Sequence, residues 1–426
     1  MRKRLAPVGM LILATIGLMV WMQQANGPAL QTVHTIRVAL WDYDAVDYDR
    51  KVIEQFETEH PDIQVEIISS PPAYYNDSLE AMLDSGERVD VIFVNQLSQL
   101  PALIADDIAL PLDEWITRDK VALDEYPDIS VLKDPDTGEV LALPYRKDKF
   151  VLYYNKDLFD AAGMAYPTHQ MTWEAFRQTA AELTTRLKKL DQNNWGAYFL
   201  KKEMHLFYFL QSQPFQWDSD DFSLIRPGLS LLLAMQEDGS IPAFTRAAMA
   251  QDSQRLFEQG NYAMFVHGSW YMNFLAMDEE KGIVNFDWGV AERPVWSAGE
   301  PNQNDAWVTP VIIHRDTPEA EAAWAFVKYI CGEEGAKILA GELILPALQS
   351  QQTDDILRTR LEERGILQEI FTNFSDPVAP PPYEQQALID AVYNQYSRAL
   401  LSLDTVDQSI HAMEEARQRI LQQESP

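Results

Sequence analysis

Between Thr35 and Val94 the chain passes through five segments whose hydrophobic period switches between that of a strand and that of a helix. No other feature restricts the fold as much. Thr35–Trp41 (TIRVALW) reads as a strand running into an acidic loop, DYDAVDYD. Lys51–His60 puts Val52, Ile53 and Phe56 on one helical face and stops before Pro61. Ile63–Ile68 alternates as a second strand, Tyr75–Ser85 is a second helix stopped by Gly86, and Val89–Val94 is a near-continuous apolar run. Strands that alternate with helices, one of them apolar on both faces, predict an α/β fold with a largely parallel sheet.

Length and charge narrow the function. At 426 residues the chain exceeds one ordinary core and fits two domains. No linker divides two contiguous domains, so the sequence predicts lobes built by a chain that crosses between them. The net charge of −31, from 34 basic and 65 acidic residues, repels nucleic acid and anionic lipid headgroups and argues against both as partners. Cys331 is the only cysteine, so no internal disulfide, multi-thiolate metal site or CxxC pair exists. In AAWAFVKYICG it reads as a small buried hydrophobe. Arg2, Lys3 and Arg4 precede an uncharged run, Leu5–Met22, and residues 1–29 read as an export signal or an N-terminal membrane anchor. Gly27-Pro28-Ala29 is a passable cleavage site, and either outcome exports the rest to the periplasm or cell surface.

Leu141–Gly163, LALPYRKDKFVLYYNKDLFDAAG, joins an apolar strand to a short helix. It resembles the segment where extracellular solute-binding proteins of ABC importers cross from one lobe to the other. The resemblance extends along the exported part in the family's order: FETEHPDIQVEII, LEAMLDSGERVDVIFVN, YNKDLFDAAG with MTWEAFRQTAAEL, LFEQGNYAMFVHGSW, FDWGVAERP, and PEAEAAWAFVKYI with GEEGAK. The carbohydrate-type, maltose-binding-protein-like branch is the most similar. This resemblance implies a two-lobed, type II periplasmic-binding-protein-like fold. Residues 33–144 and 291–331 would form one lobe, and 145–290 and 332–426 the other. Loops at the carboxyl ends of strands would face the cleft.

The resemblance also implies which residues touch a ligand. A sugar site combines flat aromatics beneath the ring with Asp, Asn, Gln or Arg in its plane. Asp42 and Asp44 follow the first strand where the family places acidic contacts, although a solvated turn has the same composition. Asn95 and Gln96 end the strand VDVIFVN at a similar contact point. Tyr145, Arg146 and Asp148 lie on the crossing strand; alternation would put Arg146 and Asp148 on one face, and Lys147 on the other. A hinge salt bridge between Arg146 and Asp148 is the competing reading. Tyr153 and Tyr154 point to opposite faces and read as packing. Trp270, in GSW, matches the tryptophan that stacks on sugar in the family. Trp217 beside Phe215, Asn304 and Trp307 near the return strand, and Tyr383 after a proline-rich loop complete the set. Relatives usually carry a glycine pair where this chain has NQNDAW.

The implied function is the exported substrate-binding component of an ABC transporter. It would capture a sugar or oligosaccharide, act as a monomer, and deliver its cargo to permease transmembrane subunits; no cofactor is implied. Membrane contact would be confined to residues 5–22 if they are retained. Two alternatives remain: a membrane-tethered ligand sensor for a receptor kinase, and an exported glycoside hydrolase or polysaccharide lyase. The chain has no GxSxG, HExxH or Walker-type loop. Carboxylate pairs arise by chance among 65 acidic residues. His267 beside Gly268 reads as a positioning residue before a base. Arg146, Lys147 and Lys149 stand out in so acidic a chain and leave a uronate ligand open, against a hinge charge cluster balanced by Asp148 and Asp157.

Overall fold

The computed structural model describes residues 33–168, 170–200, 206, 209–210, 219, 221–245, 253–300, 304–305, 307–372, 374–375 and 386–424. Ten strands are found among them: β1 (His34–Trp41), β2 (Ile63–Ser70), β3 (Val91–Phe93), β4 (Leu143–Asp148), β5 (Phe150–Asn155), β6 (Met264–Gly268), β7 (Trp288–Glu292), β8 (Asn304–Asp305), β9 (Trp307–Ile313) and β10 (Phe374–Ser375). They form a five-stranded sheet ordered β2-β1-β3-β9-β4, a three-stranded sheet ordered β6-β5-β7, and the small pair β8-β10.

In the larger sheet β1 runs parallel to β2 and β3, whereas β9 is antiparallel to both β3 and β4. The predicted alternation is realised. Val38, Val91, Phe93, Val311 and Ile313 enter one apolar core with the helices Tyr48–Glu59 and Ala320–Cys331. Ala39, Ile92 and Ile312 enter another, where Tyr75 and Leu79 of the helix Pro72–Ser85 cover the opposite face. Both faces are buried, which is why β3 carries no polar residue.

Two helices begin earlier than their hydrophobic period suggested. Tyr48–Glu59 takes in the end of the acidic stretch, so Tyr48 and Asp49 form its first turn. Pro72 opens the next helix, where a missing N–H costs nothing, and Gly86 closes it in the left-handed conformation.

The smaller sheet is antiparallel throughout, with β5 at its centre. Tyr153 faces the first core, and Leu152 and Tyr154 face a second core built with the helices Trp173–Lys188, Arg226–Glu237 and Gln386–Leu400. The tyrosine pair thus packs on opposite faces, as alternation requires. The chain changes sheet within one residue: β4 ends at Asp148, Lys149 links, and β5 starts at Phe150. It crosses again between β7 and β9. Among the described residues no helix is long and apolar enough to cross a membrane; Leu5–Met22 lies outside them.

Candidate functional site

The ends of β1 and β3, the first turn of Tyr48–Glu59 and the last residues of β4 converge where the chain changes sheet. Asp42 adopts φ 58°, a left-handed conformation that Asp tolerates, and its carbonyl accepts the Ala45 and Val46 amides at 2.7 and 3.2 Å. That turn sends the chain back so that Asp49 enters beneath Trp41. The register of β4 against β9 slips between Pro144 and Arg146, leaving Tyr145 as the extra residue of a β-bulge. A bulge re-aims side chains. Tyr145 and Arg146, adjacent in sequence, therefore line the same cavity with Leu40, Trp41, Tyr48, Asp49, Phe93 and Thr309. Its volume is about 10 Å³, near the least space that holds one water molecule.

The cavity is lined by both polar and apolar groups. The Tyr145 hydroxyl donates to Asp49 Oδ1 at 2.9 Å. The Arg146 guanidinium lies over the Trp41 and Tyr48 rings, 5.9 and 5.6 Å from their centroids. Its Nη1 is 3.4 Å from Asp148 Oδ2, an ion-pair distance, yet this buried nitrogen makes no hydrogen bond. Asp148 Oδ1 accepts instead from the Ser269 hydroxyl at 2.8 Å, which ties β4 to the loop after β6. Burial raises the pKa values of all three carboxyls in this region despite Arg146. Asp49 is pushed up to about 6, and Asp42 and Asp148 are also raised.

Outside this cavity, beyond the Ser269–Asp148 bond, lie groups of the smaller sheet. Trp270 follows β6, and its ring lies 6.1 Å from that of Trp307 at 25° and 6.2 Å from Phe150. A Cβ built on Gly268 would sit 2.0 Å from the Trp270 ring, so only glycine fits beneath that indole. His267 is buried, with its Nε2 2.8 Å from Gln254 Oε1, and burial pushes its pKa down to about 3. An imidazole that stays neutral and lies edge-on to the Trp270 ring at 5.2 Å is suited to positioning that ring. Arg255 bonds Asp278 and Glu258, and its charge also reaches Asp42.

The structure brings Asp42, Tyr145, Arg146, Asp148, Trp270 and Trp307 towards one junction. Arg146 and Asp148 share a face and pair, while the Lys147 side chain has Asp128 and Asp354 as its charged neighbours. Asn95 is half-buried and Gln96 and Asp44 are exposed, at the same sheet edge. Asn304 lies in β8, paired with Phe374 of β10. Trp217 and Tyr383 lie outside the described residues. Tyr48, Asp49, Thr309 and Arg255 were not anticipated. Asp49 had a readable signal: it shares the i, i+3, i+4, i+7 face with Val52, Ile53 and Phe56, an unusual place for a carboxylate. Among the described residues, no group of three or more His, Cys, Asp and Glu is placed to hold a metal ion.

The fold is that of the two-lobed type II periplasmic binding proteins. A Listeria monocytogenes ABC substrate-binding protein, solved in complex with cycloalternan, superposes with a TM-score of 0.75 at 20% identity, covering 92% of this chain and 99% of that one. A sugar transporter of Rhizobium etli in an open conformation gives a TM-score of 0.71 at 23% identity, covering 90% and 99%. An uncharacterized lipoprotein of Streptomyces antibioticus is 24% identical over 367 residues, 79% of this chain and 74% of that protein. Residues 44–337 match the bacterial extracellular solute-binding proteins, and the chain belongs to that family.

Proposed function

We propose that this protein captures a sugar or oligosaccharide at the junction of its two sheets and presents it to the membrane subunits of an ABC importer. One observation supports the site: polar and aromatic groups at the end of the larger sheet surround a buried Arg146 nitrogen that makes no hydrogen bond, beside Asp148, which Ser269 of the loop after β6 bonds. A cavity of about 10 Å³ holds no sugar, so capture requires the sheets to separate and close again on the ligand. Lys149 and the segment between β7 and β9 would act as the hinge. Closure is favoured to the extent that the ligand binds the closed form better. Trp270 would stack on an apolar sugar face, while Asp42, Asp148, Asn95 and Arg146 bond hydroxyls.

The carbohydrate reading is supported by solved relatives that hold carbohydrates or polyols, among them the Listeria protein with cycloalternan and an Agrobacterium vitis solute-binding protein with bound D-mannitol. Binding without turnover is the reading that the family supports. Export follows from the family. Retention at the membrane through Leu5–Met22 would parallel the Streptomyces lipoprotein by different means, since this chain's only cysteine is Cys331.

A thermal-shift screen against neutral and charged mono- and oligosaccharides, polyols, peptides and metal ions tests the reading. A sugar at 100 times its dissociation constant should add about 2.7 kcal/mol to native stability. Stabilisation by peptides or metal ions alone would remove the carbohydrate assignment.

A further inference from the structure

The junction contains more negative charge than its cations neutralise. Asp42, Asp44, Asp49 and Asp148 come from the loop after β1, the first turn of the following helix, and β4; Arg146 alone faces them from within. Arg255, whose charge also reaches Asp42, is held by Asp278 and Glu258. Asp42, Asp44 and Asp49 have no salt-bridge partner among the described residues, and the Asp42 carboxylate makes no hydrogen bond there. The two lysines that make this stretch look basic do not line the cavity. Lys149 is buried with its Nζ 2.6 Å from the Ile370 carbonyl, and Lys147 is buried near Asp128 and Asp354.

The unbonded Arg146 Nη1 is a donor without spare charge. It is buried on a residue that lines the cavity, so it calls for an acceptor, but Asp148 and Asp49 already surround its cation. A hydroxyl oxygen meets that need. A ligand carboxylate would instead be brought against Asp42 and Asp49, which are partly or fully buried, and like charges repel more strongly there than in water.

Building on the sugar-capture reading, we propose that the junction selects solutes by charge: it takes an amine-bearing sugar or cyclitol and rejects uronates. The ammonium would sit between Asp42 and Asp49, and a neighbouring hydroxyl would accept from Arg146 Nη1. Asp42 is the specificity-determining residue, because its carboxylate is half-buried and unbonded.

Isothermal titration of the purified protein with glucose, glucosamine and glucuronate, and with galactose, galactosamine and galacturonate, tests this. Maltotriose and cellotriose are run alongside. The amine should bind at least tenfold more tightly than its neutral parent in one series or both, with the uronate weaker than the parent. Asp42→Asn, checked for a native melting transition, should lower the amine-to-neutral affinity ratio at least threefold. Equal or weaker amine binding, a uronate as tight as its parent, an unmoved ratio in the variant, or silence from all six monosaccharides overturns charge selection. Binding of either neutral trisaccharide separates that failure from failure of the capture reading itself.

Discussion

The indole of Trp270 occupies the space that a side chain at Gly268 would need, with a built Cβ only 2.0 Å from the ring. Strand β6 therefore ends in a glycine because of the residue two positions on. Gly268→Ala should push the indole out of place and cost about 1–3 kcal/mol, the usual penalty for overpacking. In a Trp270→Ala background the same change should cost well under 1 kcal/mol, since the clash is gone. Urea unfolding of the four proteins of this cycle gives the coupling directly. Both single variants should bind sugar at least tenfold more weakly.

Arg146 holds together a site that cannot do without it. It is buried beside Asp148, Asp49 and Asp42, stacked over Trp41 and Tyr48. Arg146→Leu leaves those carboxylates uncompensated, and breaking a buried pair in this way costs about 3–5 kcal/mol. The loss is read from denaturant midpoints at pH 7. Adding Asp148→Asn should return part of it.

Asp49 gives the protein a specific pH response. Burial raises its pKa in the folded state from 3.8 to about 6. The folded protein then holds the proton more tightly than the unfolded chain. This contribution to stability is fully present below about pH 4 and is lost as pH rises through about 6. Its size is about 3 kcal/mol. Asp49→Asn still accepts the Tyr145 hydroxyl and removes the titration. The variant's stability relative to the parent should therefore rise by about that amount between pH 4 and pH 7.

Cys331 is 1% exposed, its Sγ is 3.8 Å from the Leu143 carbonyl, and burial pushes the thiol's pKa well up. It should be inert to thiol reagents in the native state and react at the rate of global unfolding. Labelling in increasing urea should track the circular-dichroism transition; fast labelling of the native protein would refute the packing described for the helix Ala320–Cys331.

The fold was readable because local periodicity and long-range burial agree here. The runs at Thr35–Trp41 and Ile63–Ile68 became strands close to their expected bounds, and the family landmarks supplied the topology. Alternation also separated Arg146 and Asp148 from Lys147. What it could not supply was the bulge at Tyr145, a register slip that depends on the partner strand β9. Nor could it supply Arg255, which reaches the junction from a 3₁₀ turn far along the chain. Asp49 was missed for a different reason: the acidic run read as loop, and the helix signal was taken up only at Lys51. The basic cluster Arg146-Lys147-Lys149 looked like one patch in sequence, but backbone direction disperses it to three different surroundings.

The account stands on closure of the two lobes around a sugar. Cysteines placed at the exposed positions Asp84 and Lys189, one beside each sheet, carry spin labels while the buried Cys331 stays unmodified. Their separation, measured by pulsed electron paramagnetic resonance with and without a sugar that titrates, is the most direct test. A single short distance with sugar, against a longer or broader distribution without it, is the predicted result. A sugar that binds stoichiometrically and leaves the distribution unchanged would contradict capture by closure.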